Sequence, residues 1–126
     1  MNAILDPAVL AAIEAAEAEF IAIRRDIHQH PEIGFQEHRT AALVAARLKA
    51  WGYEVDEGLG GTGVVGTLRR GHGTRTLGIR ADMDALPITE ASGKPWTSTH
   101  AGLMHACGHD GHTAICLLYT SDAADE

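Results

Sequence analysis

Residues 53–81 read "YEVDEGLGGTGVVGTLRRGHGTRTLGIRA", and in this stretch the spacing of apolar residues changes. Three short runs, "YEVDEGL", "GVVGTLRR" and "RTLGIRA", are β-branched or alternating, and Gly60-Gly61 and Gly71-His72-Gly73 separate them. Short alternating runs punctuated by glycine read as strands joined by turns, so three strands are predicted here. The residues on either side follow a different period. Leu10, Ile13, Ala16, Phe20, Ile23 and Ile27 fall close to the i, i+3, i+4, i+7 spacing of one helix face, which predicts a helix over 7–29. Pro7 suits its first turn and Asp6 its cap. Pro31 ends it, because proline disfavours helix at the residue before it. A second helix is predicted over 36–51, with Ala41, Val44, Leu48 and Trp51 on its apolar face and Gly52 as its stop. Residues 82–109 show no period and carry Pro87, Pro95 and several glycines, as an ordered loop would. "HDGHTAI" can open a third helix. Helices flanking a run of strands predict an α/β fold with a mixed, partly antiparallel sheet.

Size and charge narrow the possibilities. A chain of 126 residues suffices for one small domain, which buries roughly two thirds of its unfolded surface. Net charge is −7 and the basic residues are scattered, which excludes a general nucleic-acid binder, since neutralising phosphates needs clustered Lys and Arg. No apolar run approaches the ~20 residues of a membrane span. The first twenty residues carry Asp6 and three glutamates but no basic start, so no secretory leader is expected. Cys107 and Cys116 make a poor disulfide framework, and a reducing, cytoplasmic setting is expected.

The densest chemistry lies in "GLMHACGHDGHTAI" (residues 102–115), with His105, Cys107, His109, Asp110 and His112. A thiolate and an imidazole two residues apart can face one ion, and Gly108 lets the backbone bend around it. Zinc accepts both ligand types, whereas magnesium and calcium prefer oxygen. Cys107 as a nucleophile, with His105 or His109 as its base, is an open alternative, and His105 or His112 taken singly fits a structural corner equally well. In "GIRADMDALPITE" (residues 78–90), an extended chain puts Asp82 and Asp84 on one side. Two such carboxylates call for a cation or a proton between them, although aspartates at strand ends also form turns. His28, His30 and Glu32 straddle a helix end, and a structural role, with Arg24 or Arg25 pairing a carboxylate, fits them better than metal binding.

Four stretches in order, "RRDIHQHPEIGFQE", "GTGVVGTL", "IRADMDALPITE" and "GLMHACGHDGHTA", resemble the M20-type metal-dependent amidohydrolases, in the branch of hippurate hydrolases, N-acyl-amino-acid deacylases and auxin-conjugate hydrolases. The resemblance implies that residues 1–115 are the N-terminal part of a zinc-peptidase-like catalytic domain. It also implies a centre of two divalent ions (Zn, Mn, Co or Ni) that cleaves the amide bond of a small N-acyl amino acid. Cys107 and His109 fall on metal-ligand positions and Asp84 on the catalytic acidic position beside the centre. Asp82 stands where more distant relatives carry a histidine ligand. His105 and His112 match positions without an assigned role. A bound metal activates water and polarises the carbonyl, and a carboxylate base takes the proton. In relatives that base belongs to a Glu-Glu pair downstream of the cysteine motif, and none follows residue 112 here. A longer parent is therefore expected, with a smaller lid-like dimerisation domain that makes it a homo-oligomer. This chain alone is expected to be inactive and to carry an exposed sheet edge. "CLLYTSDAADE" (residues 116–126) departs from the family and resembles an in-frame translation of a transposase-type sequencing adapter, so it is read as a non-native tail. The reading from another class is a small, non-catalytic metal-binding module.

Overall fold

The computed structural model describes residues 7–125. The elements run α1 (Pro7–Gln29), α2 (His38–Ala50), β1 (Glu54–Leu59), β2 (Gly63–Thr67) and α3 (His109–Asp125). Both predicted N-terminal helices are present, and the proposed Asp6 cap lies outside the described residues. Ala16 is the first α1 residue packed against the core cluster. Phe20, Ile23 and Ile27 join Leu48 of α2 and Leu117 of α3 in one core cluster, with Val55 and Val64 of the hairpin packed against it. Leu10 and Ile13, expected on the buried face, are 41% and 38% exposed, because α1's first turns lie ahead of this cluster.

β1 and β2 form an antiparallel hairpin, with Glu54 opposite Thr67 and Leu59 opposite Gly63. Gly66 lets β2 lie close under α2, since a Cβ there would sit 3.0 Å from a Leu48 methyl and 3.2 Å from the Tyr53 ring. The α/β class holds, but the sheet is narrower than predicted. Its two strands are antiparallel, and the parallel component is one isolated bridge, Ile33 to Ala85. The third predicted strand, "RTLGIRA", forms no ladder among the described residues. A groove of about 1010 Å³ lies between β2 and residues 74–80, which pair with no strand among the described residues, and Leu77 is 71% exposed. Among the described residues β2 thus presents an unpaired edge to this groove.

The long connection over 82–108 is irregular but anchored. Ala85 N–H donates to Glu32 O (2.7 Å), and Leu86 and Met104 exchange backbone bonds of 2.9 and 3.0 Å. Glu32 has the structural role preferred for it. Its carboxylate accepts from the Arg39 and Thr40 backbone N–H groups, both at 2.8 Å, and caps the start of α2 in place of Glu37.

Candidate metal centre

Gly108 takes φ +84°, a left-handed conformation that glycine adopts freely, and α3 starts at the next residue. His109 and His112 are then one turn apart and share a helix face, with ring centroids 5.3 Å apart. The segment before Ala85 runs along this helix end. Thr113 Oγ1 donates to the Asp82 carbonyl (3.0 Å), fixing its distance from α3.

Asp82 and Asp84, expected on one side of the chain, both approach the same imidazole. His109 Nδ1 lies 2.9 Å from both the Asp84 carboxylate Oδ1 and the Asp84 carbonyl oxygen. A carbonyl oxygen only accepts, so Nδ1 carries the proton and the lone pair of a neutral ring sits on Nε2. That nitrogen faces Asp82 Oδ1 at 3.7 Å. His112 Nδ1 donates to the same oxygen at 2.8 Å. This bond from His112 holds the Asp82 carboxyl below its ordinary range, partial burial opposing it, so Asp82 is anionic at neutral pH.

The donors suit a divalent cation. Asp82, His109 and His112 each offer a ligand atom, all within 4.8 Å of one another. Two imidazoles and a carboxylate match zinc and its neighbours better than magnesium or calcium. Cys107, the thiolate expected in the ligand set, is exposed and is not one of the three. The nucleophile alternative needs a base in contact with the thiol. Among the described residues no hydrogen bond joins Cys107 to His105 or His109, whose Nδ1 is committed to Asp84. Burial pushes the Cys116 thiol up, as for an unreactive packed cysteine.

Behind the centre lies a buried polar clamp that sequence reasoning located only in part. Asp110, in the first turn of α3 and 1% exposed, accepts from Arg24 Nε (3.1 Å) and His28 Nδ1 (2.9 Å) of α1. His28 Nε2 lies 3.1 Å from Glu90 Oε1. Arg24 does pair a carboxylate, while Arg25 stacks on Trp96 at 3.9 Å. His28 and His30 are structural, His30 bonding the Asp26 carbonyl at 2.7 Å. His105 is buried with both ring nitrogens unpartnered among the described residues, and its burial lowers its pKa against the opposing pull of Asp110. The contacts of Asp110 and Glu90 to His28 were not predicted. The only cue for Asp110 was its place in a helix's first turn, where a carboxylate complements the dipole.

Glu90 makes the clamp acid-sensitive. Burial raises its pKa, but hydrogen bonds from the Ser92 hydroxyl, the Ser98 N–H (2.6 Å) and His28 outweigh this and bring it from 4.5 down to about 2. A folded-state value below the unfolded one stabilises the fold above about pH 4.5, and that contribution is lost as pH falls from there toward about 2. Chemical denaturation across this range is expected to show the acid loss, and Glu90→Gln to flatten it. An unchanged slope in the variant would assign the loss to other carboxylates.

An α/β scaffold here gathers two carboxylates and two imidazoles at a helix start, a donor set that could hold a metal ion. Residues 78–123 match the family model "Peptidase family M20/M25/M40", and the chain belongs to this family. It is 54% identical over 102 residues to the hippurate hydrolase of Campylobacter jejuni, a match covering 81% of this chain and 27% of that protein. A solved structure from methicillin-resistant Staphylococcus aureus superimposes with a TM-score of 0.87 at 43% identity, covering 93% of this chain and 31% of that one. The Bacillus subtilis YXEP protein, a dinuclear metal binding peptidase from the M20 family, does so at 0.80 and 36% identity, covering 88% and 32%. The chain spans about a quarter of the length of the curated relatives it matches. No helix of the described residues is long and apolar enough to cross a membrane.

Proposed function

We propose that the protein containing this segment hydrolyses the amide bond of N-acyl amino acids, hippurate-like substrates among them, using divalent metal. One observation carries the reading: His109 is held between Asp84 and Asp82 at the start of α3, in a chain 54% identical over 102 residues to a hippurate hydrolase. In the complete centre Cys107 and His109 are proposed as ligands, with Asp84 orienting His109 as the catalytic acidic residue. A bound divalent ion supplies Lewis acidity toward the scissile carbonyl and makes water nucleophilic near neutral pH. Zn, Mn, Co and Ni are the proposed ions, two per site, in a cytoplasmic homo-oligomer. A carboxylate base is still required, and it is assigned to the polypeptide beyond this segment.

The test is hydrolysis of hippurate and N-acetyl amino acids by the longer protein, with each metal and with a chelator. Turnover that the chelator abolishes and metal restores is expected, with no turnover from the 126-residue chain. Chelator-resistant turnover that thiol alkylation stops would replace this mechanism with a Cys107 nucleophile.

A further inference from the structure

We infer that Phe35 is a specificity-determining residue, its ring receiving the aromatic or other bulky apolar acyl group of an N-acyl amino acid. The inference rests on the amidohydrolase reading above and deepens it by naming what holds the acyl end. Phe35 breaks a local rule. The Gln36 N–H donates to the Ile33 carbonyl at 2.9 Å and closes a four-residue turn. Phe35 fills the third position at φ +65°, where such turns take glycine or asparagine. Among the described residues it is the one non-glycine residue with positive φ, and for a bulky side chain that conformation is costly. Packing does not offset the cost, since Phe35 is 80% exposed. Strain of this kind is kept where a side chain serves a site rather than the fold.

The surroundings of Phe35 say which site. The Ile33–Ala85 bridge and the 2.7 Å bond from Ala85 N–H to the Glu32 carbonyl tie this turn to the residue after Asp84. The 2.6 Å bond from Thr62 to Glu37, both buried, pins the β1–β2 turn beside Leu59 to the start of α2. An open hollow of about 340 Å³ results, lined by Phe35 and Leu59 and by Asp82 and Asp84. That volume lies in the range of small-molecule pockets. A group lying on the Phe35 ring therefore sits beside the two carboxylates that address His109. Charge sets which end of the substrate enters. An N-acyl amino acid has an anionic end and an acyl end. Asp82 and Asp84 disfavour the first, and Arg80, a cation that also lines the hollow, lies 3.8 Å from Asp82 Oδ2. The exposed Phe35 and Leu59 side chains favour an apolar group, and an aromatic ring gains further from stacking on Phe35.

The experiment compares hippurate with N-acetylglycine, which differ only in the acyl group, on the longer protein and its Phe35→Gly and Phe35→Leu variants. The ratio of kcat/KM for hippurate to that for N-acetylglycine is expected to fall at least about tenfold in Phe35→Gly, mostly through KM, and less in Phe35→Leu. Glycine suits the positive φ, so Phe35→Gly is expected to melt no lower than the parent. A ratio within about twofold of the parent's, an equal loss on both substrates, or a lowered melting midpoint in Phe35→Gly would each overturn the assignment. An equal loss would make Phe35 a contact for neighbouring polypeptide, and a lowered midpoint would make it a packing residue. If turnover is absent, calorimetric binding of the two compounds gives the same comparison. A longer protein that binds hippurate without cleaving it, with the preference lost in Phe35→Gly, would sink the hydrolase reading and leave this one standing. Cleavage with an unchanged ratio would do the reverse, and absence of binding would end both.

Discussion

Replacing Asp110 with alanine is expected to cost about 3 kcal/mol of folding stability, the low end for removing one partner from a buried charged pair. Asp110 is 1% exposed and accepts from Arg24 and His28, which reach it from α1. Without it, His28, whose side chain is 8% exposed, keeps its Nδ1 proton but loses the acceptor and cannot turn to water. The Arg24 side chain is 48% exposed and re-solvates easily, which keeps the cost from the top of the range. Loss of a carboxylate from the first turn of α3 adds a few tenths of a kcal/mol. Since small domains hold only about 5–15 kcal/mol, the effect should be plain in denaturant midpoints. Asp110→Asn keeps an acceptor and should lose about half as much, and Arg24→Ala under about 1 kcal/mol. A midpoint for Asp110→Ala within error of the parent's would mean that apolar packing alone joins α1 to α3.

The helices were legible because a helix carries its period within itself: Phe20, Ile23, Ile27 and Leu48 announce their faces, and their burial follows. The strand in "RTLGIRA" was legible as a propensity only. A ladder needs a partner, and the groove beside β2 leaves Leu77 and Ile79 facing open space. The centre divides the same way. Asp82, Asp84 and His109 share a local logic, alternation before one helix start, and the fold brings them together. His112 lacked a role because its partner, Asp82, is thirty residues away, and spacing within "CGHDGH" does not reveal it. Asp110 and Glu90 were given no role for the same reason, their contacts to His28 spanning 82 and 62 residues.

In the longer protein, His109→Ala is expected to lower kcat/KM by at least about a thousandfold, and added metal should not restore it. Among the described residues His109 is the side chain that both Asp82 and Asp84 address, and losing it removes a proposed ligand nitrogen. Lewis-acid stabilisation of several kcal/mol depends on the ion's position, and each 1.36 kcal/mol is about tenfold in rate. Asp84→Asn should behave differently. The backbone carbonyl at that position still accepts the Nδ1 proton at 2.9 Å, so the His109 tautomer survives. What is lost is the negative charge behind the ring, which makes His109 the stronger donor to metal, and outer partners of this kind typically contribute about 10–100-fold in affinity or activity. Excess metal should therefore recover much of the Asp84→Asn defect and none of the His109→Ala defect. An Asp84→Asn enzyme that saturates with metal yet stays a thousandfold slow would show the Asp84 carboxylate acting on the reacting groups themselves. A His109→Ala enzyme within tenfold of the parent would remove this centre from the chemistry altogether.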